Sequence, residues 1–234
     1  MTLMAISVAI FVLLGIEQIR QQARDSFAST VSGVDLIVGA KTGSLNLLLY
    51  SVFRIGSPTD NISWQAYREI ADSDDVAWAI PISLGDSHEG YRVVGTTQAF
   101  FKHFSFGKKR RLAFSEGEVF EGTFDAVLGS EVASALGYSV GTEIILAHGL
   151  ASTSFTKHDN QPFIVVGVLA PTGTPVDQTI HVRLEGIEAM HAGGSTAPIG
   201  AFAPASAPAT DFSEPESITA FMLGLKSRMS TFNM

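Results

Sequence analysis

Residues 127–146 read VLGSEVASALGYSVGTEIIL, and residues 163–177 read FIVVGVLAPTGTPVD. In the first stretch, Ser130 is a suitable N-cap because its hydroxyl can accept a hydrogen bond from the free amides of the next turn. Apolar residues follow at helical spacing, and Gly137 suits the left-handed position that ends a helix. A strand over 143–147 comes next, and the β-branched second stretch predicts another. The unit therefore reads as a short capped helix, a strand, a loop and a return strand.

This order of elements resembles the periplasmic core domain of MacB-like and FtsX-like ABC transporter permeases, including the LolC/LolE-like members. In that family, a helix ending in Leu-Gly is followed by Val-Gly-Thr or Val-Gly-Asp, a strand, and a strand reading Val-Val-Gly-Val or Val-Val-Gly-Ile. The matching segments here are 136–137, 140–142 and 165–168. The runs GVDLIVGAKTG at 33–43 and LLLYSVF at 47–53 extend the resemblance towards the N-terminus.

The N-terminal segment Met1–Ile16 has no charged residue and consists mostly of Ile, Val, Leu, Ala and Met. About 20 apolar residues are needed to cross a bilayer core, so we predict a membrane helix that is clipped at its start. A cleaved signal peptide and a buried soluble helix are the alternatives. The signal peptide is disfavoured because no basic front and no small-residue cleavage site are present.

The helix is predicted to continue beyond the apolar segment as a stalk. Residues 17–28 are good helix formers without Gly or Pro. Within them, Ile19 and Phe27 belong to an apolar stripe with spacings of three and four, opposite a face rich in Gln. Residues 1–32 are therefore predicted to form a transmembrane segment and stalk, with an ordinary amphipathic surface helix as the alternative for its second half.

A second apolar run, residues 45–53, is predicted to be buried in the core, in an interface or in a hydrophobic groove. Beside a membrane, such a run can also meet lipid or a partner subunit. We therefore name Leu47, Leu48 and Tyr50, with Ile19 and Phe27 of the stalk, as candidate contacts with a partner.

Local patterns predict further elements between these segments. Ser63 is a suitable N-cap for a helix over 64–71. Strand patterns cover 76–84 and 90–94, with a hairpin turn at 85–88 between them. The aromatic residues that follow predict a short helix seated on the core.

Periodicity alone predicts an α+β protein. The resemblance implies a porter-like α/β subdomain formed discontinuously by residues 33–115 and 178–234, and a β-rich Sabre-like subdomain over 116–177. Residues 195–215, rich in Ala, Pro, Ser and Gly, predict an extended loop. The chain then stops in a predicted helical segment at 226–232 without a C-cap, as expected of a fragment of a longer protein.

Composition and motifs limit the chemical functions that the chain can have. The chain has 234 residues, a formal charge of −8 and no cysteine, which excludes disulfides and thiolate metal sites and disfavours nucleic acid binding. The basic run 108–111 reads as a solvated loop rather than a phosphate-binding patch. Walker, Gly-x-Ser-x-Gly, His-Glu-x-x-His and Rossmann motifs are missing. We therefore predict no catalytic residue, no cofactor and no metal; if zinc is bound, His148 and His158 are the candidate ligands.

The resemblance implies a function as the periplasmic domain of a type VII ABC transporter permease. A separate cytoplasmic ABC ATPase subunit would hydrolyse ATP, and a second permease copy or paralogue would complete a dimer. The domain would transmit motion that exports or releases a lipoprotein, peptide or drug, or would signal to a cell-wall enzyme. One alternative is a membrane-anchored periplasmic binding or sensor module, with or without a bound metal. The other is a membrane-anchored hydrolase.

The resemblance also places the chain in a bacterial inner membrane with its bulk in the periplasm. Arg20 and Arg24 lie just past the apolar segment, which by the positive-inside rule favours the cytoplasm for that side. Two arginines beside Glu17 and Asp25 are a weak bias, so we follow the resemblance.

Overall fold

The computed structural model of the chain describes residues 2–148, 162–192 and 214–227. Nearly all of the predicted loop at 195–215, and most of the predicted helical segment at 226–232, lie outside the described residues.

The helices include the N-terminal segment and the shorter elements that pack against the sheet. Within the described residues they are α1 (Thr2–Thr30), α2 (Ser44–Ser51), α3 (Trp64–Ala71), α4 (Ala99–His103), α5 (Ser130–Leu136) and α6 (Leu184–Ala192). A 3₁₀ turn, Pro175–Gln178, begins at the end of the stretch 163–177.

The strands of the described residues are short except for one. They are β1 (Leu36–Gly39), β2 (Ile62–Ser63), β3 (Val76–His88), β4 (Tyr91–Thr96), β5 (Ser105–Phe106), β6 (Arg110–Arg111), β7 (Phe114–Gly117), β8 (Asp125–Leu128), β9 (Glu143–Ile144), β10 (Ala147–His148), β11 (Phe163–Leu169), β12 (Thr179–Arg183), β13 (Ser217–Ile218) and β14 (Ala220–Leu225).

Ten of these strands form one mixed sheet in the order β1-β14-β3-β4-β12-β8-β11-β7, with β10 paired to β3 and β9 paired to β11. The pairs β4–β12 and β8–β11 are parallel, and the other pairs are antiparallel. The α+β class is therefore confirmed. The sheet joins strands from both predicted subdomains, and their division at residues 116 and 177 stays a prediction.

Several local predictions are confirmed. The hydroxyl of Ser63 accepts a hydrogen bond from the amide of Ala66 at 3.3 Å and caps α3. Gly137 ends α5 with a φ of 69°, a conformation that glycine adopts without steric cost. The predicted return strand in the stretch 163–177 is β11, which spans Phe163–Leu169 and pairs with β9.

The predicted N-cap of α5 is wrong by one residue. Gly129 is the N-cap, in an extended conformation, and Ser130 is the first helical residue without a capping hydrogen bond from its side chain. A Cβ on Gly129 would lie 2.2 Å from the carbonyl oxygen of Val176 and 2.4 Å from that of Asp177. Because the 3₁₀ turn lies so close, a residue without a side chain is needed at the N-cap of this helix.

The predicted hairpin turn at 85–88 is also wrong. β3 continues to His88 through a bulge between Leu84 and Ser87. The turn is Glu89–Gly90, where both residues have positive φ, 49° and 84°. Two successive left-handed residues form the two-residue turn whose twist matches that of the flanking strands, so the turn lies later than the polar residues suggested.

Buried apolar side chains form three clusters around the sheet. The first joins α2 and α4 to β3, β4 and β14, and contains the aromatic rings of Phe100, Phe101 and Phe104. The second surrounds β8, β11 and β12 with α5 and α6. The third seats α3 on β14 through Tyr67, whose ring meets that of Phe221 edge-on at 5.1 Å.

We predict that Gly129→Ala lowers the free energy of unfolding by about 1–3 kcal/mol, the usual cost of forcing extra volume into a packed site. The two carbonyl oxygens that its methyl group would meet are backbone atoms and cannot rotate away. Gly43→Ala is the matched control, because nothing lies within 4 Å of its Cβ position. Urea unfolding of both variants checks the prediction. Equal stability of the two would contradict the packing described here.

Candidate functional site

Helix α1 presents apolar side chains that no other part of the described chain covers. Its segment Thr2–Gln21 has a mean hydropathy of 2.1 and is 0% buried, and Ile19 is 69% exposed. Twenty helical residues span about 30 Å, the thickness of a bilayer core. By length and composition, this segment is a candidate membrane span.

The chain leaves α1 and enters the sheet at once. The amide of Ser32 donates to the carbonyl of Ser105 at 2.9 Å. The amide of Asp35 donates to the carbonyl of Leu223 at 2.9 Å, and its carboxylate accepts from the amide of Leu225 at 2.8 Å. β1 then pairs with β14. The segment that follows α1 is therefore tied by hydrogen bonds to β5 and to β14.

The predicted contact residues on α2 have different environments. Leu47 and Leu48 are partly buried against the first core cluster. Tyr50 is only 3% exposed, and its hydroxyl lies 3.3 Å from that of Thr42. The exposed apolar side chain of this helix is Leu45, at 68%. The side chain of Phe27, the stalk candidate, lies outside the described residues.

Two arginines are buried next to α2. Arg54 is 9% exposed, has a φ of 61°, and donates to the carbonyl of Ser51 in the last turn of the helix. Arg92, on β4, is 8% exposed and donates to the carbonyl of Gly56. The Nε of Arg92 is enclosed and has no hydrogen-bond partner. These two guanidinium groups hold the loop after α2 against the sheet.

A cavity of about 190 Å³ lies beside this loop. Hydroxyl groups of Thr42, Tyr50, Ser57 and Thr59 occur among its lining residues, and Gly56, the acceptor for Arg92, lines it as well. Leu49 and Ile55 also line the cavity, so its wall is mixed polar and apolar.

Burial affects the pKa of both arginines. Burial and, to a smaller extent, the positive charge of Arg92 lower the pKa of Arg54 to about 10. Burial also lowers the pKa of Arg92.

His181 is a third buried titratable group in the interior. It lies on β12, is 0% exposed, and stacks on Phe100 with a ring separation of 4.8 Å. Neither ring nitrogen has a hydrogen-bond partner of normal geometry. Burial, then the charge of Arg54, lowers its pKa to about 3, and the backbone of Val127 acts in the opposite direction. His181 is therefore neutral in the folded protein at neutral pH.

The structure describes only part of the proposed zinc pair. His148 contributes its backbone to β10, opposite Asp86 of β3, and His158 lies outside the described residues. The described residues contain no group of three or more His, Cys, Asp or Glu side chains arranged to hold a metal ion.

The sequence interpretation missed the cluster of Arg54, Arg92 and His181. One signal was present: Arg54 is a single charge immediately after the apolar run 45–53 and before Ile55. His181 likewise stands between two apolar residues, Ile180 and Val182. Their convergence depends on pairing between distant strands, which no local pattern contains.

Comparison with known proteins places this architecture among transporter domains. A family model described as MacB-like periplasmic core domain matches residues 1–209. The periplasmic region of MacB from Actinobacillus actinomycetemcomitans superposes with a TM-score of 0.50 at 9% identity, covering 86% of this chain and 82% of that chain. At this identity the likeness concerns the fold alone.

A second similar structure is the extracellular domain of the noncanonic ABC-type transporter YknZ from Gram-positive bacteria. Its TM-score is 0.42 at 11% identity, covering 74% of this chain and 78% of that chain. No curated protein matches the sequence.

We predict that His181 makes the protein acid-labile. The folded pKa of about 3 lies below the ordinary 6.5, so the unfolded chain binds more protons between these values. Stability is therefore lost as the pH falls below 6.5, by about 1.4 kcal/mol per pH unit. The stability difference between wild type and His181→Leu, measured by urea unfolding from pH 7 to pH 4, should shift in favour of the variant. Parallel pH profiles would contradict the prediction.

Proposed function

Because the chain belongs to the family of MacB-like periplasmic core domains, we propose that it carries ATP-driven motion across the inner membrane to the periplasm. The family consists of permease-type subunits of ABC transporters, which are associated with a membrane and with a cytoplasmic ATPase. We place the chain in a type VII transporter, in which the permease acts from the periplasmic side on a substrate of the cell envelope.

The observation that carries this proposal is the direct connection between α1 and the sheet. The exposed apolar helix leads into β1 through residues 31–35, and β1 begins a hydrogen-bonded path of strands that reaches β7. A displacement of α1 in the membrane would act on β1 and then on the strands paired with it. The hydrogen bonds of Ser32 and Asp35 support this coupling because they fix the exit of the helix to β5 and β14.

The proposed partners are a cytoplasmic ABC ATPase and a second permease copy or paralogue. We assign the dimer contact to the stalk stripe of Ile19 and Phe27, and add the exposed Leu45. Tyr50 supports α2 from the core side, since its side chain is buried. The substrate class is a lipoprotein, a peptide or a drug, released or exported by the motion.

The direct test is purification of the full-length permease from its native membranes. We expect an ATPase subunit to accompany it, and addition of the permease to stimulate ATP hydrolysis by that subunit. A permease that purifies alone and leaves ATP hydrolysis unchanged would overturn the transporter assignment and favour an anchored binding protein.

Within that assembly, we predict that Phe27→Asp weakens association of the two permease copies by about tenfold or more. An unpaired carboxylate placed in an apolar contact costs several kcal/mol unless it moves to water. Gln21→Asp, on the polar face of the same helix, is the matched control and should associate normally. Quantitative pull-down of differently tagged copies from detergent measures the effect. If the Phe27→Asp variant associates normally and stimulates the ATPase normally, the stalk stripe is not part of the dimer interface.

A further inference from the structure

The basic run 108–111 belongs to a β-hairpin that lies beside the end of α1. Its strands β5 and β6 pair antiparallel, and the turn between them contains Gly107 and Lys109, whose φ angles are 56° and 58°. The sequence alone favours a solvated loop for this run, whereas the structure gives it a fixed place. Residues 105–111 are called the basic hairpin below.

The basic hairpin turns back towards α1. Ser32 follows the last residue of α1, Thr30, by two positions and forms an antiparallel bridge with Ser105. The amide of Ser32 donates to the carbonyl of Ser105 at 2.9 Å, and the hydroxyl of Ser105 donates to the carbonyl of Ser32. Because the chain at Ser32 leads away from α1, its antiparallel partner leads back towards it. The turn at 107–109 therefore lies on the α1 side of the bridge, and β5 contacts α1.

The hairpin presents positive charge to solvent. Its four exposed cations are Lys108, Lys109, Arg110 and Arg111. The guanidinium of Arg110 lies 4.5 Å from the centre of the Phe106 ring, and that of Arg111 donates to the carbonyl of Lys102 at 2.8 Å. The ion pairs that join described residues use other arginines, so no carboxylate of the described residues lies within ion-pair distance of these cations.

The neighbouring helix α4 extends this positive field. Lys102 of α4 is exposed. Burial, and then the positive charges of Lys102 and Arg111, lower the pKa of His103. The chain as a whole has a formal charge of −8, so the surface around the hairpin is opposite in sign to the chain. It suits an anionic partner.

A bilayer around α1 brings lipid headgroups within reach of this surface. Residues 22–30 extend α1 beyond the candidate span, and at 1.5 Å per residue they rise at most about 14 Å. The headgroup layer occupies about 6 Å of this height. The remainder is about 8 Å, close to the Debye length at physiological ionic strength. The turn at 107–109 shortens it further, because it points back towards α1.

We propose that the basic hairpin contacts the anionic phospholipid headgroups of the bilayer that α1 spans. Each basic residue near an anionic surface favours the contact by about fivefold. The contact holds the start of the sheet at a set height above the bilayer, because the hairpin is bonded to Ser32. The inference rests on α1 as a membrane helix, which is part of the proposed function, and is independent of the substrate and of ATP hydrolysis.

Quenching of a fluorophore on the hairpin by nitroxide-labelled lipid headgroups tests the contact. The chain has no cysteine, so Lys108→Cys gives one attachment site in the purified chain, reconstituted in nanodiscs. We expect strong quenching in equal parts of phosphatidylglycerol and phosphatidylcholine. Quenching should be weaker by about twofold or more in phosphatidylcholine alone, and likewise in about 1 M salt, where the Debye length falls to about 3 Å.

Two double variants in this labelled background separate charge from structure. Arg110→Gln with Arg111→Gln should shift the equilibrium away from the contact by about 25-fold, the product of two fivefold factors, and reduce quenching to the level in neutral lipid. Arg110→Lys with Arg111→Lys keeps both charges and should be quenched as the parent is. Unchanged quenching in the Gln variant, or equal loss in both, would overturn the proposal.

Glu89→Cys is the control for position. Glu89 is exposed and follows β3, whose residue Ala79 pairs with Leu223, the acceptor for the amide of Asp35. From Ala79, β3 runs about 30 Å to its end at His88, so this label lies far from the exit of α1 and should not be quenched. A hairpin label quenched no more than the Glu89→Cys label would also overturn the proposal.

A label on α1 distinguishes failure of this inference from failure of the proposed function. Leu13 is 70% exposed, and a fluorophore on Leu13→Cys should be quenched by nitroxides on the acyl chains. Quenching there without quenching of the hairpin label refutes the headgroup contact alone. If neither label is quenched, α1 does not lie in the bilayer, and the contact and the membrane anchoring of the proposed function both fail.

Discussion

The pairing of β12 between β4 and β8 is the constraint on which the rest of the fold depends. β12 is parallel to β4 over five residue pairs and antiparallel to β8 over three. Thr179, Ile180, His181 and Val182 are all 0% exposed at this junction. On one side lie β4, β3, β14 and β1, and on the other lie β8, β11 and β7. The path of paired strands from β1 to β7 is continuous through this junction.

The same junction explains why the interior tolerates unusual polar groups. His181 occupies a strand position whose neighbours Val94 and Val127 are both fully buried, so its imidazole is held neutral at a cost in acid stability. The charge of Arg54 acts on that ring, and Arg92 acts on Arg54.

Local sequence signals predicted the elements whose ends are fixed by their own residues. The cap at Ser63, the left-handed Gly137 and the apolar strand Phe163–Leu169 need no distant partner, and each stands where it was predicted. The N-cap at Gly129 was missed because carbonyl groups about fifty positions later exclude a side chain there. The buried arginines were missed for a related reason: burial of a charge is a property of tertiary packing, and a lone arginine after an apolar run ordinarily reaches solvent.

Transmission of motion from the membrane to the distal sheet is tested most directly by distance measurements in the assembled transporter. The chain contains no cysteine, so Ile164→Cys provides a single label site in it, on β11, at a position 45% exposed. Spin labels on the two copies of a reconstituted full-length permease dimer, compared with and without ATP bound to the ATPase, report whether the distal strands move. We expect the distance between the two labels to change on ATP binding, and to stay constant when the ATPase cannot bind ATP. An unchanged distance during active ATP hydrolysis would contradict transmission through the sheet.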